Sequence, residues 1–162
     1  KIMSVIIGKE EYFKEINEVK FEGVDSDNPL AYRYYDEDKM VLGKPMKDHF
    51  KFAIAYWHSF VNTGNDPFGP GTKQFPWSKS SDVYERAHNK MDAAFEFISK
   101  LGLEYFCFHD FDLIDEGKSL IESEERLGKI VEYGKNKINS SKWSRNLVKI
   151  LCNNYILFSI FN

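Results

Sequence analysis

The sequence has few cysteines, no cluster of basic residues and no long apolar run, and each feature excludes a class of protein. Cys107 and Cys152 are the two cysteines among 162 residues, too few for the disulfide framework of a secreted protein. We therefore expect a reducing compartment, the cytoplasm, and interpret Cys107 as a small apolar residue in a buried strand. A net charge of −3 without a stripe of lysine and arginine argues against nucleic acid as a partner.

Neither end of the sequence has the hydrophobic length that a membrane segment or a secretory signal needs. The first residues, KIMSVIIGKEEYF, lack a long apolar region. The stretch YILFSIF near the other end is far shorter than the roughly 20 residues that span a bilayer. We expect no membrane partner. Because the sequence starts with lysine rather than methionine, we also expect it to be part of a longer chain.

Aromatic residues are abundant, and the first half of the chain divides around them. Residues 1–45 mix charge, tyrosine, proline and glycine, and predict a short helix near 8–16 followed by an irregular arm. The tyrosines of this arm either lie against another surface or belong to a solvated loop. The run FAIAYWHSF at 52–60 is nearly uncharged and predicts a strand buried on both faces. A loop rich in glycine and proline follows at 62–80, a length more typical of functional loops.

The second half of the chain alternates helix and strand. Apolar residues recur at helical spacing over 83–101, with Ser81 and Asp82 as candidate N-caps and Gly102 as the terminating residue. A strand at 104–109 and a helix from about Ser119 to 138 complete the pattern. Strand, helix, strand, helix is the order of an α/β fold, either an open parallel sheet or a piece of a (β/α)8 TIM barrel. A whole barrel takes about 250 residues, so this length supplies only its first two βα units.

The strand at 104–109 ends in a histidine among acids, in the stretch EYFCFHDFDLIDEG. If the backbone turns after His109, Asp112 can reach an imidazole nitrogen, fix the tautomer and leave the other nitrogen for acid–base chemistry. Function in α/β folds lies where strands end, which favours this pair as a site. Three alternatives stay open: a hydrogen-bonded strand terminus, acids that merely cap the loop, and a metal site that includes Asp110.

Two aromatic residues are further candidates. Trp57 closes the first predicted strand at the same edge, where a tryptophan is more often core than ligand platform. Phe68 lies in the DPFGPG part of the loop, where burial within its own domain is unnatural. An exposed phenylalanine on such a loop indicates insertion into a neighbouring surface, for which another subunit is the natural candidate.

Five separated stretches resemble xylose isomerase, in its longer form with an extended N-terminal arm. They are KFEGVDSDNPLAYRYYD, GKPMKDHFKFAIAYWHSF, GNDPFGPGTKQFPW, MDAAFEFISKLGLEYFCFHDFDL and DEG, which run in family order over residues 17–117 with a weaker likeness to about 141. The resemblance implies an arm at 1–45 and the first βα units of a TIM barrel at 46–141. It favours this family over other metal-dependent barrels, such as sugar-phosphate isomerases or endonucleases.

The resemblance implies a reaction and roles for four residues. The reaction is reversible isomerisation of D-xylose to D-xylulose, and of D-glucose more weakly, by ring opening and a metal-assisted hydride shift. His109 matches the family's catalytic histidine and Asp112 its partner. Trp57 matches an aromatic wall of the sugar site, and Phe68 the residue that one subunit inserts into its neighbour's site. A homotetramer and two divalent cations, usually Mg²⁺ with Mn²⁺ or Co²⁺ as substitutes, are further expectations.

The sequence departs from the family in two respects. The metal ligands of the family lie on later barrel strands, so no metal ligand is expected in this chain. After about Ser141 the chain reads KWSRNLVKILCNNYILFSIFN, and we interpret 142–162 as a non-family tail from a frameshift or a retained intron. The chain alone is then expected to be inactive. The alternative to an enzyme is a truncated or pseudogene product of the same family.

Overall fold

The computed structural model describes residues 5–140 and 149–150, which fold as a mixed α/β unit. Its regular elements, in chain order, are β1 (Met40–Val41), β2 (Lys44–Pro45), α1 (Met46–His49), β3 (Ala53–Ala55), a π-helical turn (Trp57–Val61), a 3-10 turn (Pro76–Ser78), α2 (Val83–Lys100), β4 (Tyr105–Cys107), α3 (Asp110–Leu113), α4 (Leu120–Ser140) and β5 (Lys149–Ile150). The α/β class predicted from the sequence is confirmed, and the described residues are compatible with part of a larger domain.

A parallel sheet places the strand ends side by side. The described strands β3, β4 and β5 pair in that order, with Ala53 opposite Tyr105 and Ala55 opposite Cys107. Both pairings are parallel, so α2 and α4 are the crossover helices between neighbouring strands. The carboxyl ends of β3 and β4 therefore meet at one edge, directly before Trp57 and His109. The pairing of β5 falls within the residues for which we predicted a non-family tail.

Helix α2 forms where the periodicity predicted it. Asp82 caps its first turn by accepting a hydrogen bond from the Glu85 amide at 2.7 Å. Its last turn ends at Gly102, whose φ of +66° is left-handed and suits glycine. The apolar face packs into a core that includes buried residues of the strands, the π-helical turn and α4.

Among the helices described, none is both long and apolar enough to cross a membrane.

The strand predicted over 52–60 forms only at Ala53–Ala55, and it is not buried on both faces, because Ala53 is exposed. The backbone turns helical at Tyr56 and continues as the π-helical turn. Tyr56 and Phe60 are four residues apart, so the turn buries both against the same core, and their rings lie 5.0 Å apart. Trp77 donates from its indole nitrogen to the Phe60 carbonyl at 3.1 Å and so satisfies one end of the turn. A continuous apolar run in the sequence does not distinguish a strand from a helical turn.

The helix predicted near 8–16 is also wrong, because a buried carboxylate takes the amides that a helix would use. Glu96 on α2 is fully buried. It accepts hydrogen bonds from the Tyr12 and Phe13 amides at 2.7 and 2.9 Å. Lys100, one turn further along α2, forms an ion pair with Glu96 at 2.9 Å. The segment is thus held in an irregular conformation against α2 rather than as a helix of its own.

Other polar side chains of α2 hold the same segment. Asp92 accepts a hydrogen bond from the Lys9 amide at 2.9 Å, and Ser99 accepts one from the Ile6 amide at 3.0 Å. A side chain at Gly8 would put its Cβ atom 2.2 Å from the Asp92 carboxyl, so only glycine fits this approach. The first residues described are therefore integrated into the unit by backbone hydrogen bonds to buried acids.

The tyrosines of the arm divide between contact and solvent. The Tyr32 hydroxyl donates to the Leu101 carbonyl at 2.8 Å, just beyond α2. Tyr35 packs edge-on against Phe52, with ring centroids 5.3 Å apart. Tyr34, between them, is 82% exposed. Both interpretations of the arm aromatics thus hold, each for different residues.

Replacing Glu96 with alanine is expected to release the N-terminal segment. Glu96→Ala removes the acceptor of two amides and leaves Lys100 without one of its carboxylate partners. Breaking such a buried pair costs about 3 kcal/mol, so the unfolding free energy in urea should fall by that amount. Hydrogen exchange at the Tyr12 and Phe13 amides should also accelerate. The matched control is Glu125→Ala at an exposed position of α4. Unchanged amide exchange in Glu96→Ala would contradict this account of the segment.

Candidate active site

His109 and Asp112 are brought together by a turn of the backbone directly after β4. His109 precedes α3, and one turn of this short helix carries Asp112 back toward it. Oδ2 of Asp112 accepts a hydrogen bond from the His109 amide at 2.7 Å and lies 3.0 Å from His109 Nδ1. Since a carboxylate oxygen accepts, Nδ1 carries the proton and Nε2 has a free lone pair. The predicted geometry of the pair is therefore confirmed.

The two members of the pair differ sharply in burial. The Asp112 side chain is 1% exposed, whereas the His109 side chain is 39% exposed. The carboxylate thus lies behind the imidazole, shielded from water, and the imidazole faces outward. The buried Asp112 carboxylate thus holds the accessible His109 imidazole in place. It also stabilises the imidazolium that forms when His109 takes up a proton.

Two aromatic rings pack against the imidazole. Trp57 lies 4.7 Å from His109 between ring centroids, at 44° between ring planes. Phe111 stacks on the same imidazole at 5.1 Å with nearly parallel planes. Trp57 holds its place because the π-helical turn begins there, a conformation often found at functional sites. Trp57 is half-buried and lies at the site rather than in the core.

Phe68 is fully presented to solvent on a tight turn. Its side chain is 97% exposed. Oδ1 of Asp66 accepts hydrogen bonds from the Phe68 amide at 2.8 Å and from the Gly69 amide at 3.1 Å. This local network holds the tip of the loop without any contact from the aromatic ring. Within the part of the chain that the structure describes, no contact joins Phe68 to the His109 pair.

Charged groups behind the pair tie its loop to α2. Arg86 forms an ion pair with Asp115 at 2.5 Å, and its guanidinium also donates to the carbonyls of Ser80 and Ser81 at 2.9 Å each. Burial lowers the pKa of Lys90, and the negative charges of Asp115 and Asp112 counteract that shift. Arg86 therefore anchors the segment after α3, and Lys90 adds a second cationic group on the same side of α2.

Tyr56 is a residue of this region that the sequence did not single out. It is 2% exposed, and burial raises the pKa of its hydroxyl, with a further increase from the Asp112 charge. The apolar run around it gave no signal that one hydroxyl would lie near a buried acid. Only the parallel pairing of β3 and β4 places the two in the same interior.

No group of three histidine, cysteine, aspartate or glutamate side chains that could hold a metal ion occurs among residues 5–140 and 149–150. His109 and Asp112 direct Nδ1 and Oδ2 at each other rather than at a common point. Asp110 uses one carboxylate oxygen to accept a hydrogen bond from the Phe111 amide at 3.0 Å. These three residues therefore fit a proton-transfer pair with a flanking cap better than a metal centre.

Comparison with known proteins places the chain in a family. Xylose isomerase from Bacteroides thetaiotaomicron is 54% identical over 127 residues, and xylose isomerase from Thermotoga maritima is 48% identical over 149 residues. This chain belongs to the xylose isomerase family. A third relative, the xylose isomerase of Phocaeicola vulgatus, is 53% identical over 127 residues. No family profile matches the chain.

The chain spans about a third of the length of these relatives. The matches cover 78% of this chain and 29% of the Bacteroides protein, and 92% of this chain and 32% of the Thermotoga protein. A match of 149 residues does not fit within 1–141, so it enters the predicted tail at 142–162. The boundary at 141 and the frameshift or intron origin of the tail stay predictions.

Replacing Asp112 with asparagine is expected to release the His109 tautomer. Asp112→Asn removes the anion that holds the proton on Nδ1, so both neutral tautomers become populated. Proton–nitrogen correlation NMR of labelled histidine reads the tautomer directly. The matched control is Asp110→Asn, which changes the neighbouring acid and leaves the bond to His109 in place. A His109 spectrum that is the same in all three proteins would show that Asp112 does not set the tautomer.

Proposed function

We propose that this chain forms the sugar-opening part of a xylose isomerase active site, for reversible conversion of D-xylose to D-xylulose and, more weakly, of D-glucose. The observation that carries the proposal is the exposed His109 imidazole, fixed by the buried Asp112 at the carboxyl end of a parallel strand. We infer the reaction from the family membership. The geometry supports His109 as its base, because α/β folds bind their ligands at this edge of the sheet.

His109 would open the sugar ring by moving one proton. In the cyclic sugar, Nε2 takes the proton from the hydroxyl on C1, and the imidazolium that forms is held by Asp112 through Nδ1–H. The same imidazolium then gives a proton to the ring oxygen as the bond from C1 to that oxygen breaks. The product is the open-chain aldehyde, and His109 returns to its neutral form.

The aromatic groups would exclude water from the opened sugar. Trp57 and Phe111 both contact the imidazole. Phe68 has no role within its own described unit, so we assign it to the site of a neighbouring subunit in a homotetramer. A phenylalanine presented on a turn with a fixed backbone loses little entropy when it inserts into such a site.

The family implies two divalent cations, and the described residues do not form their site. The roles proposed here for His109, Asp112 and Trp57 therefore end at the open-chain sugar. We place the cation ligands and the hydride shift in the part of the enzyme that the relatives have beyond this match.

The fold extends the same proposal. The order β3, α2, β4, α4, β5 supports the proposal that residues 46–141 would form the first βα units of a (β/α)8 TIM barrel, with residues 1–45 as its arm. The edges of the three-stranded sheet would then pair with further barrel strands. The chain alone is expected to turn over no sugar.

The direct test uses a hybrid in which residues 5–140 replace the matching segment of the Thermotoga maritima xylose isomerase. In this hybrid, His109→Asn should lower kcat for D-xylose by at least about 100-fold, because the base of ring opening is gone. The matched control His49→Asn alters an exposed histidine that contacts neither Trp57 nor His109 and should leave kcat within about twofold. Undiminished turnover in the His109→Asn hybrid would remove the proposed role of this residue.

A second test addresses Phe68 in the same hybrid. Phe68→Ser should lower kcat/KM by about tenfold, because water then reaches the neighbouring subunit's site. The unfolding temperature should not change, since Phe68 packs against nothing in its own unit. The control is Phe50→Ser, which alters another exposed phenylalanine, at the end of α1 rather than on this loop. Equal kcat/KM values in the parent and the Phe68→Ser hybrid would contradict insertion.

A further inference from the structure

Two buried side-chain oxygens have no hydrogen-bond partner in the part of the chain that the structure describes. They are the Tyr56 hydroxyl and Oδ1 of Asp112, the oxygen that His109 does not use. Tyr56 is 2% exposed and Asp112 is fully buried. Buried polar atoms in folded proteins are almost always paired, so two such atoms in one region point to each other as partners.

Ring contacts place Tyr56 beside the site. The Tyr56 ring lies 6.4 Å from that of Phe108, the residue before His109. The next residue, Trp57, packs against His109 itself. Burial raises the pKa of the Tyr56 hydroxyl, the Asp112 charge raises it further, and Asp92 adds a smaller effect. Tyr56 is therefore a protonated donor at neutral pH and lies within the field of the Asp112 carboxylate.

The chemistry of the two atoms is complementary. A phenol in its neutral form donates one hydrogen bond, and a carboxylate oxygen accepts. The cavity beside Tyr56 is lined by apolar side chains, among them Met91, Phe95 and Leu113. The Tyr56 hydroxyl is thus a suitable donor for Oδ1 of Asp112.

We propose that Tyr56 is a positioning residue for the His109–Asp112 pair, with its hydroxyl donating to Oδ1 of Asp112 directly or through one water molecule. This bond holds one carboxylate oxygen and thereby fixes the other, Oδ2, against His109 Nδ1. Its importance for sugar opening rests on the proposed function, whereas the bond itself does not. Tyr56 touches no substrate and acts only through Asp112.

The test removes one oxygen atom from the full 162-residue chain. In Tyr56→Phe, the Asp112 carboxylate is free to rotate, so the His109 Nδ1 proton should exchange with water at least about tenfold faster. NMR of labelled histidine measures this exchange. Tyr133→Phe is the matched control, because its hydroxyl donates to a different buried acid, Asp92, at 2.7 Å. Since Tyr133 packs on His88 at 4.1 Å, that variant should move the His88 signal and leave His109 unchanged.

A double variant separates positioning from general loosening of the structure. If Tyr56 acts through Asp112, adding Tyr56→Phe to Asp112→Asn should have less than about a twofold effect on His109 proton exchange. The proposal is overturned if Tyr56→Phe leaves His109 unchanged, or if its effect is as large in the Asp112→Asn background. It is also overturned if the histidines of the unmodified chain show unfolded shifts, because the pair is then not formed.

If the Tyr56→Phe variant does not fold, a measurement on the unmodified chain still tests the proposal. With tyrosine labelled at Cζ, a hydroxyl in slow exchange gives two carbon signals in an equal mixture of H2O and D2O. Tyr56 should show this doubling, and Asp112→Asn should abolish it. A single Tyr56 signal in the unmodified chain would overturn the proposal. None of these measurements involves sugar, so their failure is distinct from a failure of the proposed function.

Discussion

The site depends on the hydrogen bonds that the buried carboxylate of Asp112 accepts from His109. The carboxylate accepts hydrogen bonds from both the backbone and the ring of His109, so one side chain sets the turn after β4 and the direction of the imidazole. Such a carboxylate would be costly to bury without donors, and the two bonds to His109 offset that cost. The proposed bond from Tyr56 would complete its surroundings. A change at Asp112 is therefore a change in local fold and in chemistry together.

The rest of the unit serves to hold that turn in place. Helix α2 packs against the strand ends on one side and, through Asp92, Glu96, Ser99 and Lys100, binds the first described residues on the other. Arg86, at the start of the same helix, anchors the segment that follows α3. The arrangement links the N-terminal segment, the helix and the site in one continuous set of contacts. It also explains why a segment without regular structure is firmly placed.

Local signals in the sequence predicted much of the fold and of the site. The cap at Asp82, the glycine at 102 and the apolar spacing between them predict α2 because each acts within a few residues. The His109–Asp112 pair was predictable for the same reason, since its members lie three positions apart in the sequence. The irregular conformation of residues 8–16 was not, because it depends on Glu96, more than eighty residues away. Tyr56 was missed for an equivalent reason: nothing local marks a buried hydroxyl that lies within the influence of Asp112, more than fifty residues away.

The central claim is that the outward face of His109 meets the sugar. A crystal structure of the Thermotoga hybrid with bound D-xylose tests it most directly. The account predicts His109 Nε2 within about 3 Å of the ring oxygen or of the hydroxyl on C1, with Asp112 still bonded to Nδ1. A sugar bound away from His109, or an Nε2 engaged by a protein group instead, would contradict it.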